Sequence, residues 1–392
     1  MKSPLLIFIM LSLFSEIPLL HAFEKGSISM RGSFDHSRTA FEKLKFGRVA
    51  FMGGSITEMN GYRPMVMNFL ERKYPKAQFE FINAGISSTC STTGAFRLQR
   101  DILTKGPIDL FFLEFAVNDD QDAGHDREGC IRGMEGIIRQ FRSYFPKSDI
   151  VVTYFVNPRM LELLKVGKIP LTMAAHEEVL EKYQISGVHL ARELAEQINK
   201  NEFSWEKFGG THPKESGNRL CADMHAELLH KAWTGPMPKK VIAHKLPNEM
   251  IDPLSYANGK FLSPGKIKLT KGWSYSEPNW PKLHGSKRTR YLGSSLLHSN
   301  GIAHPLSLKF SGSAIGAFIL AGPDAAKLRY SIDGQKNKEI DLFHHYSKSL
   351  HYPRTVMFAH DLSPGEHTLT IVPIKHNQRN AVRIMEFCIN QN

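Results

Sequence analysis

Cysteine is scarce in this chain: four residues in 392, at positions 90, 130, 221 and 388. Their spacing makes neither a zinc set nor a CxxC redox pair, which excludes both kinds of site. No block of Lys and Arg stands out, although 50 Lys+Arg against 38 Asp+Glu leave a net charge of +12. A basic surface without such a block predicts no nucleic-acid partner. Glycine-rich phosphate loops and metal-binding histidine spacings are missing as well, so neither cofactor nor metal is expected. Internal repeats and low-complexity tracts are absent, and 42% hydrophobic with 22% charged residues belong to a globular protein.

Long apolar runs are few too. Residues 5–14, LLIFIMLSLF, follow Lys2 and precede SEIPLLHA, which ends on the small residue Ala22. A membrane span needs about 20 apolar residues, and Glu16 and Pro18 interrupt this stretch. It reads as a signal peptide over residues 1–22. Nothing later is apolar enough to span a bilayer, so the mature chain is expected to be secreted or periplasmic, without stable membrane insertion. Export permits disulfides: a Cys90–Cys130 pair and four separately buried thiols both satisfy the count.

What is present is a change of texture. From about residue 44 to 233, apolar strands alternate with helical segments: RVAFMGG, FEFINAG, IDLFFLEFAVND and DIVVTYFVNP between amphipathic stretches. That alternation predicts a parallel sheet with helices on both faces. Residues 238–258 carry little periodicity and read as a linker. From residue 259 to 392, short β-type runs such as HPLSLKF, AIGAFILAG and KLRYSIDG are separated by turn residues. This half predicts an all-β sandwich, jelly-roll-like, behind a first domain spanning 23–237.

In an open α/β sheet, ligands bind beyond the carboxyl ends of the strands. Ser55 falls there after FMGG, Gly85 after FINA, and Asn118 after FFLEFAV. Each alone has a bland reading as a turn or a cap. A fourth element, His212-Pro213, stands before the last helix of the same domain. Together they supply a serine, a base and two oxyanion donors.

With these residues in hand, the chain resembles the SGNH hydrolases, also called GDSL-type esterases. GGSIT, NAGIS, AVND and THP carry the resemblance, in the family's order, over roughly residues 45–231. It implies a three-layer α/β/α, flavodoxin-like parallel sheet. It also implies Ser55 as nucleophile and His212 as general base, with an oxyanion hole from the N–H groups of Ser55 and Gly85 and the Asn118 side chain. The chemistry asks for the same parts: a serine hydroxyl needs a base to take its proton, and the tetrahedral intermediate needs preorganised donors.

One family feature is missing. The aspartate expected three residues before the histidine is Gly209 here. Three readings follow: a Ser-His dyad oriented by a backbone carbonyl, Glu206 as substitute acid, or a degenerate site. Asp119 and Asp120 read as loop-ordering residues, DDQDAGHD as a solvated loop, not a calcium loop, and His176 as a surface or packing residue. Arg63 and Arg159 are candidates for binding an anionic substrate group.

Export, a sandwich and this resemblance point to a serine esterase removing O-acetyl groups from polysaccharide or oligosaccharide. Trp273, Tyr275, Trp280, Tyr346 and Tyr352 are then either sugar platforms or core. A glycan-binding protein with a degenerate site, and a lipase or acyltransferase using the same residues, are the alternatives.

Overall fold

The computed structural model describes residues 23–374 and 378–391. The segment read as a signal peptide lies outside them. The first sheet holds β1 (Ile28–Ser29), β2 (Phe46–Gly53), β3 (Gln78–Gly85), β4 (Leu110–Leu113), β5 (Asp149–Thr153) and β6 (Ser186–Val188), in the order β1-β6-β5-β4-β2-β3. Strands β2 to β6 are parallel. Counted by themselves they run 2-1-3-4-5, the flavodoxin-like order. Every residue of β4 and β5 is buried, which is why both read as unbroken apolar runs instead of alternating ones. Strand β1 pairs antiparallel with β6 at the edge.

Helices cover both faces. On one, α3 (Ser91–Asp101), α4 (Arg127–Tyr144) and α5 (Leu171–Tyr183) pack in succession; on the other, α7 (Glu215–Ala232) packs against α2 (Tyr62–Lys73) and α6 (Leu190–Asn199). The short α1 (Ser55–Glu58) follows β2 directly. Among the described residues no helix is long and apolar enough to cross a membrane.

The strands of the second half pair antiparallel with one another. One sheet contains β10 (Leu306–Ser311), β15 (Glu366–Ile374), β12 (Lys327–Ile332) and β13 (Lys338–Asp341), in that spatial order. The other is built on β14 (Tyr352–Ala359), β11 (Ala314–Ala321), β16 (Ala381–Asn390), β9 (Leu296–Asn300) and β8 (Ser274–Ser276), with β7 (Gly259–Leu262) also paired to β16. Strand β10 alternates buried and exposed, as a strand with one wet face must. Strand β11 does not: all of it is buried. Ile315, Ala317 and Ile319 enter the sandwich core, while Ala314, Phe318 and Leu320 join the core of the α/β domain. The sandwich is therefore seated on the first domain through its outer sheet face, next to α3. Each large apolar side chain so buried is worth roughly 1.5–3 kcal/mol, so the two halves hold each other in place.

All four cysteines are buried and free, which favours the thiol reading over a Cys90–Cys130 disulfide.

Candidate active site

The turn after β2 sets one hydroxyl against a histidine. Ser55 opens α1, and its Oγ lies 2.7 Å from His212 Nε2. With the ring protonated at Nδ1, Ser55 donates to Nε2, the arrangement a general base requires. The two glycines ahead of Ser55 are demanded by space. A Cβ on Gly53 would sit 2.0 Å from Glu114 Oε1, and one on Gly54 would sit 2.1 Å from Asn118 Oδ1. Glu114 follows β4 directly and Asn118 ends the short helical turn Ala116–Asn118 beyond it, so the glycines let the segment after that strand press against the nucleophile turn.

Asn118 is buried beside Gly54, and its Nδ2 donates to Asp122 Oδ2 at 2.9 Å. Gly85 pairs with Gly53 in the sheet register. Its N–H donates to Asn83 Oδ1 at 3.0 Å, so an oxyanion reaching that N–H must displace Asn83. Three residues on, Ser88 holds a left-handed φ of 67°.

His212 stands in a loop between a short helix, Trp205–Phe208, and α7. Gly209 closes that helix with φ 103°, and a Cβ there would lie 2.3 Å from Lys214 N. The position of the family's aspartate is thus a left-handed cap with no room for a side chain. Glu206 does not replace it: this residue is exposed, and no hydrogen bond or ion pair joins it to His212. Among the described residues His212 hydrogen-bonds to Ser55 alone. Its loop is held instead through the backbone. Asn218 Nδ2 donates to the Pro213 carbonyl at 2.7 Å, and Asn218 Oδ1 accepts from Tyr62 N–H at 2.8 Å. Asn218 so ties the histidine loop to the helix beyond Ser55. Gly209→Asp is expected to lose about 1–3 kcal/mol of stability to backbone strain without raising kcat. Thermal unfolding and steady-state rates on one sample check both halves.

Sequence reasoning passed over Glu114. It is fully buried below the turn, where Oε1 accepts from Gly54 N–H at 2.8 Å and from Thr57 Oγ at 2.7 Å. Its signal was present, an acid inside an otherwise unbroken apolar run.

Asp119 orders this segment, as expected, but DDQDAGHD is not a solvated loop: Asp119–Ala123 form a helical turn, and Asp119 and Asp122 are buried and accept hydrogen bonds. Asp119 accepts from Ser91 N–H at 2.8 Å and Ser91 Oγ at 2.7 Å, and His176 Nε2 lies 2.8 Å away. Burial alone would raise the Asp119 carboxyl, but the nearby His125 and His176 imidazoles outweigh it and hold it well below the usual range. His176 is accordingly a buried partner of Asp119 and not a surface residue. Cys90, Asp119 and His125, and Asp119, Cys130 and His176, are two sets whose ligand atoms cluster within 4.8 Å. Both oxygens of Asp119 are hydrogen-bonded, whereas the Nδ1 atoms of His125 and His176 are buried without a hydrogen-bond partner.

Arg63 is not free for substrate. It is buried and donates to the Thr57 carbonyl at 3.3 Å and to Asn60 Oδ1 at 3.0 Å. Arg159 is exposed at the carboxyl end of β5 and pairs with Asp120. Trp273, Trp280 and Tyr352 are core residues, whereas Tyr275 and Tyr346 are exposed. The 510 Å³ cavity lined by Tyr154, Met173, Glu177 and His189 contains neither Ser55 nor His212.

The second domain reaches this site. Arg288 donates to the Ser87 carbonyl at 2.8 Å and to Ser88 Oγ at 2.9 Å, and Arg290 pairs with Glu58 at 2.9 Å. Glu58 ends α1, and its other oxygen accepts from Ser87 N–H at 2.8 Å.

A flavodoxin-like sheet whose first long strand presents a serine to a histidine defines the class, a serine-type hydrolase fold of the SGNH kind. Residues 51–220 match the model of the GDSL-like lipase/acylhydrolase family. Over those residues the first domain is similar to that family of lipases and acylhydrolases. No curated protein matches it. Among solved structures, a two-domain esterase active on acetylated mannans, crystallised with mannopentaose, is 17% identical with a TM-score of 0.74, over 92% of this chain and 96% of that one. The same esterase without mannopentaose gives 16% and 0.74 over the same shares. A variant acetyl xylan esterase from Geobacillus stearothermophilus is 16% identical over 47% of this chain and 96% of its own, with a TM-score of 0.37. At these identities the likeness is one of fold, and the first two share both domains.

Proposed function

We propose that this protein is an exported esterase that removes O-acetyl groups from polysaccharide through a Ser55–His212 dyad. The observation that carries the reading is the 2.7 Å contact between Ser55 Oγ and His212 Nε2 at the carboxyl edge of the sheet, with the Asn118 amide beside it. Ser55 Oγ attacks the acetyl carbonyl as its proton passes to His212 Nε2. The oxyanion meets Ser55 N–H and Asn118 Nδ2–H, with Gly85 N–H as a third donor once Asn83 yields. Collapse expels the sugar oxygen, which takes the proton from His212. Water, deprotonated by the same ring, then releases acetate and restores Ser55.

Several features support a polysaccharide substrate. The dyad is open, with His212 exposed and Ser55 half-buried. Exposed Tyr346 and Tyr275 offer sugar-stacking faces, and Arg159 a cation at the rim. The shared two-domain fold includes an esterase active on acetylated mannans. Gly209 favours a second reading, a glycan-binding protein whose site is inert.

Labelling of the mature protein with a fluorophosphonate, followed by mass mapping, separates the two. Label on Ser55 in the native protein and none in Ser55→Ala, with acetate released from acetylated mannan by the native protein alone, is the expected result. Saturable mannan binding without label or acetate release would overturn the esterase reading in favour of the second.

A further inference from the structure

The orientation of Asn118 depends on a residue of the second domain. Asp122 lies one turn beyond Asn118, in the 119–123 segment, and is almost wholly buried. One of its oxygens accepts from Asn118 Nδ2 at 2.9 Å and from Gln121 Nε2 at 3.3 Å. The other accepts from the hydroxyl of Tyr352, the first residue of β14. A carboxylate only accepts, so its place decides which end of the Asn118 amide faces it: nitrogen, not oxygen. One N–H of that nitrogen is then committed and the second is left for a ligand. The Tyr352 ring is itself fixed, stacked on His344 with centroids 4.5 Å apart and planes 8° from parallel.

We propose that Tyr352 is a positioning residue of the oxyanion hole, acting through Asp122 to hold the Asn118 amide in its donating orientation. The proposal rests on the reading of Asn118 as an oxyanion donor. It makes the sandwich a working part of the active site: a residue more than two hundred positions away in sequence sets the geometry of a donor beside Ser55. Arg288 supports the same role from a second direction, since it fixes Ser88, a serine held at positive φ in the loop after Gly85. A domain serving only to bind glycan has no need of either contact.

Tyr352→Phe removes the hydroxyl and leaves the stacked ring, so the fold is retained. Hydrolysis of a chromogenic acetyl ester would be measured for the native protein, Tyr352→Phe, Asn118→Ala and the double variant, each normalised to the serine titrated by fluorophosphonate. Asn118→Ala is expected to lower kcat by roughly 10²–10³, and Tyr352→Phe by about tenfold with KM unchanged. In the double variant the tyrosine change is expected to add less than about twofold, because the residue it acts through is gone. A merely structural tyrosine would cost the same in both backgrounds, and that result overturns the proposal. So does Tyr352→Phe at native rate. An Asn118→Ala variant with native kcat would instead overturn the oxyanion reading, and this proposal with it.

Discussion

Replacing His212 with alanine is expected to lower kcat for acetyl-ester hydrolysis by roughly 10⁴-fold or more, with KM little changed. Ser55 Oγ has one basic partner, at 2.7 Å. The other carboxylates near the turn make no hydrogen bond to Ser55 Oγ: Glu114 Oε1 is held by Gly54 and Thr57, Glu58 by Ser87 and Arg290, and Asp122 by Asn118 and Tyr352. His212 alone is in place to take the proton. Glu206→Gln, by contrast, is expected to leave kcat unchanged, because its exposed carboxyl makes no contact with the ring. In a three-membered site the acid carries part of the orientation; here the loop backbone does, through Asn218 and the Gly209 cap. Since His212 is exposed, a small base has access to Ser55, and added imidazole is expected to restore part of the rate to His212→Ala. Initial rates on a chromogenic acetyl ester measure all three. A His212→Ala variant keeping more than about a tenth of native kcat would remove the dyad mechanism.

How much of this was legible follows from where each residue does its work. The parallel strands declared themselves because burial on both faces leaves unbroken apolar runs, and Leu110–Leu113 is one. Strand β1 did not, since two residues carry no period. The sandwich was readable from alternation in strands such as β10. That its other sheet rests on the first domain was not, although the uniformly apolar AIGAFILA carries the same mark as a central parallel strand. Ser55 and His212 were visible because each sits in a local pattern with a chemical purpose. Asn218 was not: an asparagine inside a helix gives no hint that it ties the histidine loop to the start of another helix. Arg288 and Arg290, in SKRTR, belong to no motif and carry no local sign of what they bind. Tyr352 was weighed as platform or core, and its hydroxyl's partner lies 230 residues away in sequence. Such contacts exist only once two domains are docked, so no local pattern announces them. Arg63 and Glu206 failed for the opposite reason: they lie near the site in sequence, but the backbone turns one inward and the other into solvent.

Glu114 should reveal itself through pH. Burial pushes its carboxyl from 4.5 up to about 7, with hydrogen bonds from Thr57 and Gly54 opposing and the charge of Asp119 adding to the rise. A raised carboxyl favours the protonated form in the folded protein. Its stabilising contribution is therefore full below the unfolded value of 4.5 and is lost as pH climbs through 7, a swing of about 3 kcal/mol. Urea unfolding of the native protein at pH 5 and pH 8 is expected to show this loss, and Glu114→Gln, which cannot ionise, to lack it. Other groups titrate in the same interval, so the difference between the two proteins is the quantity to read; equal pH slopes would refute the assignment. Glu114→Ala is the harsher change. It strands the Gly54 N–H and leaves Thr57 Oγ with Tyr62 alone, at 3.1 Å, costing about 1–3 kcal/mol per unsatisfied group. Glutamine keeps an oxygen where Oε1 accepts, so it should keep the turn and the rate. Alanine keeps neither, because the N–H it frees belongs to the residue before Ser55, and a nucleophile on a loosened turn no longer meets His212 at a fixed distance.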